Sequence, residues 1–156
     1  MEQKEINIKY TVLKYAELTK EENDLLKEAK NKIKNSYSIY SHFKVACALL
    51  LDSENVVTGT NQENAAFPSG LCAERVAVFY AKSKFPNSTV KKALIVAEQN
   101  GSVTEKPIAP CGACLQVLLE TENRQKTPIE LILVGKEEIY KIASVKDCLP
   151  LRFEKL

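Results

Sequence analysis

Apolar and polar positions alternate at the start of the chain, where Ile6, Ile8, Tyr10 and Val12 stand against Asn7, Lys9 and Thr11. That is the period of a half-buried strand, and an edge strand is expected here. The period then changes: Leu25, Leu26, Ala29 and Ile33 fall on one side of a helix, and Thr19 with Glu22 has capping-box spacing ahead of them. A helix ending near Asn35 follows. Residues 37–43 are irregular, and residues 45–51 and 56–60 then read as two strands joined by the turn-forming Asp52-Ser53-Glu54-Asn55 into a hairpin. A helix begins near Cys72, and residues 93–97 form a buried-looking strand. The stretch to Ala109, with Gly101 and Pro107, reads as a loop, and a second helix runs from Cys111 to about Thr121. Residues 129–134 are a further strand and 139–142 a short one, after which Ser144 caps a short turn ahead of Leu149 and Pro150. Strands and helices interleave, which points to the α/β class, and the hairpin makes the sheet mixed. With no repeat, low-complexity segment or linker, residues 1–156 are read as a single domain.

Composition narrows the class of function. The longest apolar run, residues 45–51, is far short of a membrane span, and no apolar stretch follows the charged opening Met1-Glu2-Gln3-Lys4-Glu5. A soluble, cytoplasmic protein is expected. The 22 basic and 20 acidic residues leave a formal charge of +2, which gives no broad electrostatic footprint for nucleic acid, so small substrates are favoured. Five cysteines are an odd number for a disulfide framework, and their spacing suits a metal site in a reducing compartment. Cys47, within an apolar run, and Cys148 are assigned to packing.

The remaining cysteines carry the chemistry. Cys72 stands two residues before Glu74, and Pro110-Cys111-Gly112-Ala113-Cys114 supplies a Cys-x-x-Cys pair. Three thiolates can hold zinc and leave its fourth tetrahedral position for water, the mark of a catalytic site. Each cysteine segment precedes a helical stretch, and a helix N-terminus stabilises negative charge. Pro110 suits the first helical turn. Glu74 is placed to shuttle protons, while Arg75 and the two helix N-termini can offset the negative charge of three thiolates. Asn61-Gln62-Glu63-Asn64 directly follows a strand and is either a substrate-contacting segment or a loop whose side chains bond its own backbone. His42, the one histidine, is read as a satisfied structural residue; as a fourth ligand it would instead give a structural Cys₃His zinc module with no chemistry.

Cys72-Ala73-Glu74 with Pro110-Cys111-Gly112-Ala113-Cys114 resembles the signature of zinc-dependent nucleoside and base deaminases. Tyr40-Ser41-His42-Phe43, Asn61-Gln62-Glu63-Asn64-Ala65, Cys72-Ala73-Glu74-Arg75, Gln116, Leu149-Pro150 and Phe153 extend the likeness to the small, homotetrameric cytidine deaminases. The resemblance implies a three-layer α-β-α sandwich around a mixed sheet of about five strands, with the N-terminal edge strand as an addition. It implies one zinc per subunit on Cys72, Cys111 and Cys114, and Glu74 moving protons between the attacking water, N3 of cytosine and the departing amine. Asn61 and Glu63 would bind the sugar hydroxyls, Phe43 would pack beside the base, and the backbone at Ala73 would read the pyrimidine edge. Phe67 and Phe153 would reach a neighbouring subunit's site. The implied reaction converts cytidine and deoxycytidine to uridine and deoxyuridine in pyrimidine salvage. A modified cytosine nucleoside such as blasticidin S is the rival substrate. A polynucleotide is disfavoured by the near-neutral charge, by there being three arginines (Arg75, Arg124, Arg152), and by the lack of Trp. Three departures stand out: Phe67 where the family often has Tyr, Leu115 where Arg commonly follows the last zinc cysteine, and Val45-Ala46-Cys47-Ala48 in place of a Val-Gly-Ala-Ala strand.

Overall fold

A computed structural model describes residues 1–154. In chain order the elements are β1 (Thr11–Leu13), α1 (Lys20–Lys32), β2 (Phe43–Leu51), β3 (Val56–Thr60), α2 (Ala73–Lys84), β4 (Val90–Gln99), β5 (Ser102–Val103), α3 (Gly112–Gln125), β6 (Glu130–Val134) and β7 (Ile139–Ile142). The strands form one seven-stranded sheet in the order β1-β7-β6-β4-β2-β3, with β5 paired to β4. β4 and β6 run parallel, joined across α3, and the hairpin β2–β3 is antiparallel, so the sheet is mixed.

Residues 46–51 of β2 are buried throughout, as a central strand covered on both faces requires. Successive side chains point to opposite faces. Ala46, Ala48 and Leu50 meet Leu25, Leu26, Ala29 and Ile33 of α1, together with Leu94, Val96 and Ile132. Cys47, Leu49 and Leu51 face the other way, against Ala77, Val78 and Ala81 of α2 and Leu118 and Leu119 of α3. This is the expected three-layer sandwich, and Cys47 is a core residue. The capping box at α1 also forms: the Glu22 N–H donates to Thr19 Oγ1 at 3.2 Å, and Glu22 Oε2 accepts from the Thr19 N–H at 2.9 Å.

Four local expectations need correction. The N-terminal strand is shorter than the Ile6–Val12 alternation, because β7 offers only four residues and pairs with Thr11–Leu13 alone; Ile6, Ile8, Tyr10 and Val12 are exposed, not half-buried. The stretch after β4 is not all loop. Asn100 and Gly101, at φ 53° and 77°, make the tight turn that returns the chain as β5. α3 continues past Thr121 to Gln125 and stops where Lys126 adopts a left-handed conformation. Pro110 lies before the N-cap, Cys111, and not within the first turn.

One close approach positions the site. A Cβ on Gly59 of β3 would lie 2.5 Å from both the Ala73 carbonyl oxygen and the Ala77 nitrogen. Only glycine lets the first turns of α2 lie directly on the backbone of β3. Cys72 is thereby brought beside the end of that strand. Among the described residues no helix is long and apolar enough to cross a membrane.

Candidate active site

Cys72 is the N-cap of α2 and Cys111 the N-cap of α3, with Cys114 in the first turn of α3. The two helix starts converge. Cys72 Sγ lies 3.9 Å from Cys111 Sγ, Cys111 Sγ lies 3.5 Å from Cys114 Sγ, and the three sulfurs lie within 4.8 Å of one another. Tetrahedral zinc with Zn–S bonds of ~2.3 Å sets its sulfurs ~3.8 Å apart, so this donor set fits zinc in both chemistry and spacing. Among the described residues no histidine, carboxylate or fourth cysteine joins the group. His42 instead sits in a turn, at φ 55°, with its N–H donating to the Ser38 carbonyl at 2.9 Å.

Electrostatics separates Cys111 from Cys114. Burial works against ionising Cys111, yet the N–H groups of Cys114 and Ala113 and the neighbouring thiols outweigh it and hold Cys111 below the ordinary thiol range. Cys114 is pushed far up by burial, by Glu74 and by the other two sulfurs. All three can be thiolates only with added positive charge. Arg75 supplies some: its Nη2 lies 3.8 Å from Cys72 Sγ, and contact with the Cys72 and Cys114 sulfurs raises its pKa. Its Nε is buried without a hydrogen-bond partner among the described residues. Leu115, by contrast, is turned into the core with Leu118 and Leu119.

Glu74, in the first turn of α2, is only 4% exposed. Burial pushes its carboxyl above the usual range, and its own N–H, the Cys114 thiol and the Arg75 charge only partly oppose this. Cys47 of β2 is near enough to feel the Glu74 charge.

A cavity of about 520 Å³ opens beside Cys72 and Arg75, with walls from Tyr40, Ser41, Phe67, Leu71 and the segment Asn61, Gln62, Glu63 and Asn64. Asn61 and Glu63 are therefore in the site, but each is already bonded within the fold. Asn61 Oδ1 accepts from the Val45 N–H and its Nδ2 donates to the Phe43 carbonyl, both at 2.8 Å, which extends the pairing of β2 past the end of β3. The Glu63 carboxylate accepts from the Ser41 hydroxyl and from the N–H groups of Tyr40, at 2.9 Å, and Ser41, at 3.3 Å. The Ser41 hydroxyl above all holds Glu63 below the ordinary carboxylate range. Phe67 lines the cavity, is 75% exposed, and meets Tyr40 edge to face with ring centroids 5.8 Å apart.

Phe43, Ala73 and Phe153 are not among the residues that line this cavity. Phe43 is half-buried at the start of β2, and Ala73 is fully buried against Gly59. Phe153 is exposed, with its carbonyl accepting from Gln116 Nε2 at 2.8 Å, so the chain's tail is tied to α3. Sequence reasoning assigned no role to Tyr40, Ser41 or Gly59. A lone glycine inside an apolar strand was the available signal for Gly59. For Ser41 the contact partner lies 22 residues away, beyond any local pattern.

Residues 19–129 match the family model described as the cytidine and deoxycytidylate deaminase zinc-binding region. A cytidine deaminase of Halalkalibacterium halodurans is 42% identical over 96 residues, which are 62% of this chain and 68% of that one. A cytidine deaminase of Mycoplasma genitalium is 33% identical over 131 residues, 84% of this chain and 94% of the relative. Among solved structures, the cytidine deaminase of Burkholderia pseudomallei superposes with a TM-score of 0.72 at 33% identity, covering 87% of this chain and 100% of that one.

Proposed function

Because the chain belongs to the cytidine and deoxycytidylate deaminase family, we propose that it hydrolyses cytidine and deoxycytidine to uridine and deoxyuridine with release of ammonia. The observation that carries this reading is a buried carboxyl, Glu74, bonded to the Cys114 thiol, with three sulfurs spaced for one zinc, of which Cys72 lines a cavity walled by Asn61 and Glu63. Cys72, Cys111 and Cys114 would hold one zinc ion, which when bound would supply Lewis acidity that lowers the pKa of water to about 7. Glu74 takes one proton from the water whose oxygen bonds to C4 and delivers it to N3 of the ring, then takes the remaining hydroxyl proton and passes it to the amine, so that the C4–N bond breaks and ammonia leaves. Burial suits it to hold that proton between transfers. Arg75, against the Cys72 sulfur, offsets the negative charge of the thiolates.

Asn61 keeps one amide hydrogen and one lone pair beyond its bonds to β2, and Glu63 is held ionised by three donors. Both suit the hydroxyls of a sugar. Phe43 is assigned to the side of the base and the Ala73 backbone to its edge, once substrate is bound. Phe67 and Phe153, with Phe79 and Tyr80 of α2, leave large apolar side chains exposed, which supports a homotetramer whose neighbouring subunits complete each site. Five free cysteines suit the cytoplasm, and pyrimidine salvage is the setting.

The test is an absorbance assay with cytidine, deoxycytidine, cytosine and blasticidin S, with zinc quantified per chain and mass measured by sedimentation. About one zinc per chain with rapid turnover of the two nucleosides is expected. Bound zinc without turnover of cytidine would defeat the reading.

A further inference from the structure

Every residue from Met1 to Val12 is exposed, and the first ten belong to no helix or strand. Four of them are large and apolar at strand spacing: Ile6, Ile8, Tyr10 and, within β1, Val12, which are 56%, 48%, 54% and 48% exposed. The Tyr10 ring meets that of Tyr140, with 5.0 Å between centroids. β1 is the last strand of the sheet, so among the described residues its outer edge has no partner. The family match begins at residue 19, after the arm.

The arm is complementary to itself. Alternation puts residues 6, 8, 10 and 12 on one face of an extended strand and residues 5, 7, 9 and 11 on the other. Laid antiparallel on a second copy and centred on Asn7, the arm sets Ile6 opposite Ile8 on the apolar face. On the polar face Glu5 then stands opposite Lys9, twice over by symmetry, and Asn7 opposite Asn7. Cross-strand apolar and opposite-charge pairs are what stabilise such a ribbon, and like charges directly opposite destabilise it. A slip of one residue sets the apolar face against the polar one. A slip of two in either direction leaves both charges unmatched. An unpaired edge normally carries charge that repels another copy, whereas here Lys9 has an acidic counterpart, Glu5, in this one register. We propose that the N-terminal arm is a homotypic interface, pairing antiparallel with the arm of a second copy about Asn7 through Ile6–Ile8 and Glu5–Lys9 contacts.

The test uses the full chain with Asn7→Cys, since a residue facing its own copy across an antiparallel pair has Cβ spacing that a disulfide can bridge. Lys4→Cys, which this register sets against Tyr10, is the control, and the parent chain measures coupling through its own cysteines. Under mild oxidant, the Asn7→Cys chain is expected to form linked dimers about tenfold faster than the Lys4→Cys chain. Adding Glu5→Lys or Lys9→Glu alone should bring the rate down to the control, and adding both should restore it. Equal rates at positions 4 and 7 would overturn the pairing and leave the arm to some other partner. So would coupling indifferent to the charge reversals, or failure of the double reversal to restore it.

Discussion

Glu22 and Glu74 hold matching places on opposite faces of the sheet. Each is a buried carboxyl in the first turn of a helix, 0% and 4% exposed, and each has the N-terminal end of the helix dipole in its favour. Their partners differ. Glu22 Oε1 accepts from Lys92 at 3.0 Å and Lys141 at 2.7 Å, while Oε2 accepts from the Thr19 N–H. Burial alone would raise its pKa, but these bonds bring it down to about 2. Among the described residues Glu74 has no lysine partner, and the guanidinium next to it in sequence is turned to the Cys72 sulfur, so burial wins and the pKa rises. A carboxylate with matched cations is held permanently charged, which is a structural fixture. One buried without them can change its protonation state, which is what proton transfer requires.

The contrast breaks most visibly at Glu74. Glu74→Gln should lower turnover about 10²- to 10⁴-fold, the usual worth of a positioned proton carrier. Zinc content should stay at the parent value and thermal stability should not fall, since the change removes a buried charge that no lysine matched. Cys114→Ala, one helix away, should lose metal and activity together. Near-normal kcat in the first variant, or a fully metallated and active second one, would mean that the two buried carboxyls do not differ in the way argued.

Glu22→Gln should do the reverse, leaving chemistry in place and weakening the fold. The unfolded carboxyl titrates near 4.5 and the folded one at about 2, so between those values the folded state binds fewer protons. The stabilisation is fully present above pH 4.5 and is lost as pH falls towards 2. It amounts to at most about 3 kcal/mol. Denaturant melts of parent and variant should differ most at neutral pH and converge in acid, while kcat/KM for the metallated variant stays put. A gap between the two that does not close in acid would show that Glu22 contributes through packing and not through its charge.

These two carboxyls also mark what the sequence makes legible. The Thr19-to-Glu22 spacing identifies a capping box, and the cysteine spacing identifies two helix starts, because both depend on neighbours within one turn. The lysines that fix Glu22's charge lie 70 and 119 residues away, brought there by the strand order β7-β6-β4, which no local period encodes. The same holds at the cavity, where Asn61 and Glu63 were recognisable as a polar segment after a strand but their bonds to β2 and to residues 40–41 were not. The Ile6–Val12 alternation predicts a strand that the fold forms only at Thr11–Leu13, because period cannot say whether a partner exists to pair with it.

The smallest effect belongs to a third carboxylate, Glu63, which is only half-buried yet bonded as fully as Glu22. Ser41 links it to the fold at two points, since its hydroxyl donates to Glu63 and accepts from the Phe43 N–H at 3.1 Å. Removing Asn61 would be an ambiguous test of sugar binding, because its amide also closes the start of β2. Ser41→Ala is cleaner: the two backbone N–H groups still hold Glu63, and only the hydroxyl is lost. The expected result is a rise of about three- to tenfold in KM for cytidine with kcat little changed, as loss of one positioning hydrogen bond predicts. Ser41→Thr, which keeps the hydroxyl, should recover most of the loss. Any slow reaction on free cytosine, which has no sugar, should be untouched. An equal loss on cytidine and cytosine would place Ser41 with the general scaffold of the 40–43 turn, and the ionised Glu63 would then be no more a sugar ligand than Glu22 is.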